Sequence, residues 1–333
     1  MKKFLNDPVN FVDEMLEGIY RAHPEVTYVA DDKRCMVATS RKPGKVGIAT
    51  GGGSGHLPLF LGYVGDGMLD GVAVGGVFQS PSAEQMYQVT KAIDQGAGVL
   101  YIYGNYTGDI INFDMAAELA DLDGIQVKQV VGNDDVASSV VGEEHKRRGV
   151  AGIFFVYKAA GAAAAEGASL DEVTRLADKA RLRTRTMGVA LSSCVVPEIG
   201  HATFSIGEDE MEIGMGIHGE PGISRKKLAP ADAVVDEMMD RIFAEQDYKS
   251  GDEVAVLING LGGTPLEELY ILFRRVSLLL EERGVKTRHV WIGEFATSME
   301  MAGASISILH LDAELDRLIG AAGNTPFFKH IPA

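Results

Sequence analysis

Lys45-Val46-Gly47-Ile48-Ala49-Thr50-Gly51-Gly52-Gly53-Ser54-Gly55-His56 is a short apolar run that closes on four glycines and a histidine. Residues 45–50 read as a buried strand. A tight turn needs one or two glycines, so the surplus points elsewhere. At the carboxyl end of a strand, where ligands of open α/β sheets gather, glycines expose backbone N–H groups to a ligand's oxygen atoms. Working outward, Gly98–Tyr103 and Gly152–Tyr157 read as two more strands of the same type, with helical stretches at 82–94 and 110–122 between them. Strand and helix alternate as in a sheet covered on both faces, and the fold class is α/β.

Upstream, Asp7-Pro8 reads as a cap and first helical position, and Val12, Met15, Leu16, Ile19 and Tyr20 follow at helical spacing until His23-Pro24. Downstream, Ser169 and Glu172 predict a capping box opening a helix that runs to about Arg185. The pattern then changes to strands at Met187–Ser192, Ala202–Ile206 and Glu210–Ile213. After them come a helix at 232–245, a strand at 253–258, a helix at 265–282 and a strand at 287–292. This element order divides the chain into two α/β units, 1–183 and 184–333, each with a mixed or largely parallel sheet. Gly161–Ala165 reads as the small-residue face of a packed helix.

The 333 residues include 40 glycines without a G-X-Y period, and 31 basic residues stand against 47 acidic ones for a net charge of −16. That charge repels phosphate backbones and disfavours nucleic acid or an anionic membrane as partner. Cys35 and Cys194 lie far apart and form no metal-ligand pattern, so no metal site is expected and a reducing cytoplasm fits. No apolar run approaches the ~20 residues that cross a bilayer, and the start shows no targeting segment.

No Gly-Lys-Ser/Thr follows the glycine run, so it is not a nucleotide P-loop. Gly214-Met215-Gly216-Ile217-His218-Gly219 satisfies a dinucleotide pattern, but Pro221 and Gly222 forbid the helix that pattern needs. His218, caged by glycines beside Glu220, can instead serve as a base or add to a carbonyl carbon. Asn105-Tyr106-Thr107-Gly108-Asp109 follows a strand end, where Asp109 can cap the next helix, take a proton from a hydroxyl, or both. Met211, Met215, Met299, Met301 and Trp291 read as packing, and Glu143–Arg148 as a solvated charged face. Leu261–Pro265 offers a second ligand-side or interface loop.

Taken in order, the segments GGGSGH, NYTGD and GIHGEPG, with Phe78–Pro81, Arg147–Val150 and Thr264–Leu266, resemble the dihydroxyacetone kinase family, specifically its ketose-binding K subunit. The resemblance spans nearly the whole chain. It implies a homodimer and a ketose held as a hemiaminal on His218. Gly53 would hydrogen-bond the substrate, His56 and Asp109 would position and deprotonate its hydroxyl, and Ser80, Gly52 and Gly104 would line the same pocket. It also implies a donor nucleotide, ADP or ATP with magnesium, on a separate L subunit rather than on this chain.

Three positions depart from the better-known members: Leu57 stands for a glutamate, Gly104 for a substrate-contacting lysine, and Gly76 for an acidic residue. The expected effect is lost charge and opened volume beside the ketose, which would either admit a four-carbon ketose such as erythrulose or lower the affinity for dihydroxyacetone. A ketose sensor that informs a transcriptional regulator is the alternative from another class, since a sensor needs His218 but not the base. A lipid carrier is a third, and the caged histidine argues against it.

Overall fold

The Asp7 side chain accepts a hydrogen bond from the Val9 N–H at 3.0 Å and leads into α1 (Phe11–Ala22), whose Val12, Leu16 and Ile19 are buried at helical spacing. In the structure, a computed structural model that describes residues 2–202 and 204–332, α1 packs on β2 (Asp32–Ala38), which pairs antiparallel with β1 (Val26–Val29). The glycine-rich stretch becomes β3 (Gly47–Gly53), buried along its whole length. It runs parallel to β4 (Gly71–Gly75) on one side and β5 (Val99–Gly104) on the other. With β6 (Val127–Gly132) at the far edge, the six-stranded order is β1-β2-β4-β3-β5-β6. α2 (Ala83–Ile93) and α3 (Thr107–Leu122) cover one face of this sheet through Met86, Val89, Ile93, Phe113 and Ala116. α4 (Ile153–Ala165) and α5 (Leu170–Leu182) cover the other.

A second six-stranded sheet follows, with β7 (Thr184–Ala190), β8 (Glu210–Ile213), β9 (Ser224–Lys227), β10 (Glu253–Gly260), β11 (Lys286–Gly293) and β12 (Gly303–His310) in the order β11-β10-β12-β7-β8-β9. Only β10 and β11 are parallel. α6 (Ala231–Glu245) and α7 (Leu266–Glu282) cover one face. The opposite face meets α4, because one apolar cluster joins Ile48, Leu100 and Ile102 of the first sheet to Ala255, Leu257 and Leu309 of the second through Phe154, Phe155 and Tyr157. α8 (Ala313–Ile319) packs beside α4.

This sandwiched position overturns the strand expected at 152–157. Every residue from Ile153 to Ala164 is buried, and a helix buried on all sides has no polar stripe, so its aromatic and β-branched start imitates a central strand. The expected small-residue face is present: a Cβ on Gly161 would lie 2.5 Å from the Gly67 carbonyl oxygen. The capping box of α5 forms by half. The Ser169 hydroxyl accepts from the Glu172 N–H at 3.3 Å, but the Glu172 carboxylate turns to Arg175. The expected strand Ala202–Ile206 is absent from the described residues. Ala202 makes only an isolated bridge to Val195, residues 204–206 are irregular, and Thr203 lies outside the described residues. No helix among the described residues is long and apolar enough to cross a membrane.

Within α4, Lys158 is fully buried. Its Nζ donates to the Ala321 carbonyl oxygen at 2.5 Å and lies 5.6 Å from the Phe328 ring centroid. Burial pushes its pKa down to about 8 from 10.5, so folding favours the neutral amine. Stability from this group is therefore reduced at neutral pH and recovers as pH rises from about 8 toward 10.5. Urea unfolding of native protein and Lys158→Met across pH 7–10 should show native stability rising relative to the variant by about 1–3 kcal/mol. A pH-independent difference would contradict the burial effect.

Candidate active site

β3 ends at Gly53, and Ser54–His56 form a single 3-10 turn. The glycines are required by close approach: a Cβ on Gly52 would fall 2.3 Å from the Phe60 ring, and one on Gly53 would fall 2.5 Å from the Val77 carbonyl oxygen. The turn sets the His56 ring in a fully buried position. Its Nδ1 lies 2.7 Å from the Thr297 carbonyl oxygen. A carbonyl can only accept, so Nδ1 carries the proton and Nε2 presents a lone pair. That Nε2 has no hydrogen-bond partner among the described residues. Burial, and then the neighbouring His218, depress the His56 pKa to about 3. The ring is neutral at physiological pH and acts as an acceptor.

His218 comes from the second sheet, on the loop between β8 and β9. The loop folds back on itself because Gly214 takes φ +80° and because a Cβ on Gly216 would meet the Glu220 carboxylate at 2.1 Å. The Glu220 carboxylate accepts from the His218 backbone N–H and from its Nδ1, each at 2.9 Å. Burial alone would raise the Glu220 pKa. The His218 hydrogen bond, its own backbone N–H and Arg148 outweigh that and hold it at about 2. An ionised Glu220 fixes the proton on Nδ1 and leaves the Nε2 of His218 with a free lone pair. Three rings box the imidazole: His56 and Tyr106 at 4.6 Å between centroids, and Phe78 at 5.5 Å, all nearly perpendicular to it.

Asp109 is the third residue of α3 and makes no capping hydrogen bond, so the cap half of its expected role falls away. Its Oδ1 accepts instead from the Ser80 hydroxyl, and Asn112 anchors that segment by donating to the Pro81 carbonyl at 2.7 Å. Burial raises the Asp109 pKa to about 6, against the opposing pull of the Ser80 hydrogen bond and His218. Gly53, Ser80, Asp109 and His218 line one cavity of about 290 Å³, together with Phe78, Tyr106 and Glu220. Carboxylate and nucleophile thus converge from both sheets, in a space suited to a molecule of a few carbons, while the fully buried His56, expected there too, is not among the lining residues and stands behind Phe78 and His218.

Several expectations need correction. Gly52 faces Phe60, and neither it nor Gly104 lines the cavity. The departures open no volume there. A Cβ on Gly104 would lie 2.8 Å from the Tyr106 ring and one on Gly76 2.6 Å from the Gln79 side chain, while Leu57 lines a separate cleft with Phe11, Met15 and Met299. Nor is Glu143–Arg148 wholly a solvated face. Arg147 is buried and paired with Glu245 at 2.8 Å, and Arg148 pairs with buried Asp135 at 2.7 Å. Tyr106, Phe78 and Phe60 are wall residues that sequence reasoning left without a role. Tyr106 sits inside the NYTGD segment, and its position between the strand end and Asp109 was the available signal.

Residues 17–327 match the family model described as the Dak1 domain. The chain belongs to the Dak1 domain family. This is the family of the K subunit that its motifs resemble. The Dak1 chain is 49% identical over 332 residues to the dihydroxyacetone-binding subunit DhaK of PTS-dependent dihydroxyacetone kinase 2 from Listeria innocua, covering 99% of each. Among solved structures it resembles the dihydroxyacetone kinase of C. freundii in complex with AMP-PNP and Mg2+, with a TM-score of 0.88 and 31% identity, covering 100% of this chain and 62% of that one. It also resembles the dihydroxyacetone kinase operon co-activator Dha-DhaQ, with a TM-score of 0.89 and 32% identity, covering 96% of this chain and 98% of that one.

Because the Phe60 ring occupies the space a side chain at 52 would need, Gly52→Ala should displace a cavity wall. Chemical denaturation should show a loss of about 1–3 kcal/mol, and a variant as stable as the native protein would place the ring elsewhere.

Proposed function

We propose that this Dak1 chain is the ketose-binding subunit of a dihydroxyacetone-type kinase, a phosphotransferase acting on dihydroxyacetone or a four-carbon ketose such as erythrulose. The carrying observation is the meeting of a Glu220-oriented His218 and a proton-accepting Asp109 in one small cavity. The Nε2 lone pair of His218 adds to the keto carbon, and the π pair moves to the carbonyl oxygen, which takes up a proton. That proton comes from solvent, and the ring's Nδ1 proton passes along the Glu220 carboxylate to solvent without resting there, so one proton enters as one leaves and the sum is a hemiaminal formed by addition. A polyol lacks the carbonyl and is rejected. Gly53 and Ser80, both on the cavity wall, hold the substrate's oxygen atoms, and His56 acts from behind by packing edge-on against the His218 ring. Asp109 takes the proton of the terminal hydroxyl, whose oxygen then accepts the phosphoryl group.

The donor, ADP or ATP with magnesium, belongs on a separate L subunit. The name of the Listeria relative, which is one subunit of a kinase, supports this. The two sheets support a division into units at 183/184, and the family resemblance supports a homodimer. Two cysteines in 333 residues, both buried and far apart in sequence, support a reducing cytoplasm. A second reading, a ketose sensor, is favoured by the likeness to the Dha-DhaQ co-activator.

Asp109 separates the two. Mixed with a family L subunit, ATP, magnesium and ketose, the native chain should form ketose phosphate. Asp109→Asn should retain ketose binding and lose turnover by about 100-fold or more, whereas a native chain that binds ketose but yields no product would establish the sensor.

The pH dependence has a definite sign. Asp109 accepts a proton only when ionised, so turnover should fall as pH drops through about 6, by roughly tenfold per unit below it. An acid limb centred near the ordinary carboxylate range would remove Asp109 as the base.

A further inference from the structure

The site draws its nucleophile from one sheet and its base from the other, and a single guanidinium spans the gap. Arg148 lies on the segment after β6, in the first half of the chain. Its Nε donates to the Asp135 carboxylate at 2.8 Å and one terminal nitrogen donates to the Gly214 carbonyl oxygen at 2.9 Å. Gly214 is the residue at which the chain leaves β8 for the His218 loop. The other terminal nitrogen would lie 2.6 Å from a Cβ at position 216, and the Glu220 carboxylate 2.1 Å from the same point, so only glycine admits both groups there.

The other end of Arg148 is equally fixed. Its backbone N–H donates to the Ser138 hydroxyl at 3.0 Å, and its carbonyl accepts from the Asp135 N–H at 3.2 Å. Neighbouring bonds bind this segment to the strand end that carries Asp109. The Tyr106 hydroxyl donates to the Gly149 carbonyl at 3.1 Å, and the Asn105 amide donates to the Arg147 carbonyl at 2.7 Å. Polar contacts therefore run from the Asp109 turn through residues 147–149 to Arg148 and on to the Gly214 carbonyl at the root of the His218 loop, where the Arg148 charge also acts on the Glu220 carboxylate that binds His218.

We propose that Arg148 is a positioning residue, whose guanidinium holds the His218 loop at a set distance from Asp109 and holds the Glu220 carboxylate in place behind the imidazole. It is not itself among the residues that line the cavity. The planar fork matters, because one ammonium cannot reach the Asp135 carboxylate and the Gly214 carbonyl in the same geometry. The inference rests on the ketose reading of the site.

Its test is ketose affinity, measured well below the thermal midpoint for native protein, Arg148→Lys, Arg148→Ala and Arg147→Met. Hydrogen bonds to a charged group of this kind translate to about a 10- to 100-fold effect. Both Arg148 variants should bind dihydroxyacetone more weakly by that factor. Guanidinium chloride at millimolar, non-denaturing concentration should restore binding in Arg148→Ala and not in Arg148→Lys. Arg147→Met breaks the neighbouring pair with Glu245 and the Nε bond to the Ser139 carbonyl oxygen but leaves the backbone contacts of residues 147–149, so it should lower the thermal midpoint and leave affinity unchanged. A merely structural Arg148 would move the midpoint without moving the dissociation constant. If Arg148→Ala does not fold, Arg148→Lys carries the test. Native-like affinity in Arg148→Lys, or loss in Arg148→Ala that guanidinium does not relieve, overturns the proposal. A native chain that binds no ketose would instead sink the functional reading beneath it.

Discussion

A buried hydrogen bond from the Nδ1 of His56 to the Thr297 carbonyl oxygen, 2.7 Å long, fastens the end of the first sheet's central strand to the second sheet's side of the molecule. Further bonds run alongside it. The Thr297 N–H donates to the His56 carbonyl at 3.2 Å, the Met299 N–H to the Gly55 carbonyl at 2.9 Å, and the Thr297 hydroxyl to the Leu57 carbonyl at 2.9 Å. In the absence of water such groups have no substitute partners, so separating the two sides would leave several of them orphaned at once. The glycine loop is thus held from behind by one unit while its front face opens to the cavity, and the His218 loop arrives on the same side. Everything chemical about the cleft depends on that fastening.

Burial works in opposite directions on the groups that meet there. It strips the proton from His56, keeping it an acceptor, and it raises Asp109 to about 6, close to the pH at which a base must work. Glu220 experiences the same loss of water, yet a hydrogen-bonded imidazole and the nearby Arg148 hold it ionised. The divergence of the two carboxylates follows from what each touches. Asp109 has a hydroxyl from Ser80, and Glu220 has two N–H donors from His218. One carboxylate is left able to take a proton, and the other is committed to orienting a ring.

The scaffold succeeds because α4 fills the space between the sheets, and this is also where sequence reasoning failed. An amphipathic helix such as α1 announces itself by spacing, and Asp7 with Pro8 marks its start. α4 has no exposed face, so Ile153-Phe154-Phe155-Val156-Tyr157 carries no 3.6-residue signal and matches a buried strand equally well. The short strands β4 and β9 are likewise hard to discern, since four or five residues offer too few alternations to register a period. The charged run before Val150 misled for the converse reason. Arginine at a surface and arginine paired with Asp135 look identical until the fold brings that partner, 13 residues away in sequence, within 2.8 Å.

From the amino-acid sequence alone came the α/β class, the strand leading into Gly51–His56, the exclusion of a nucleotide loop and of a dinucleotide helix after Gly219, and the singling out of His218 and Asp109. All of these rest on local rules, namely glycine and proline backbone limits, capping and strand-end placement. Tertiary structure alone decided that His56, His218 and Tyr106 pack ring against ring, that Tyr106 and Gln79 close the space beside Gly104 and Gly76, and that Leu57 faces another cleft. Those outcomes depend on which atoms of distant segments reach one another first, and close packing between two sheets settles that where no local pattern can.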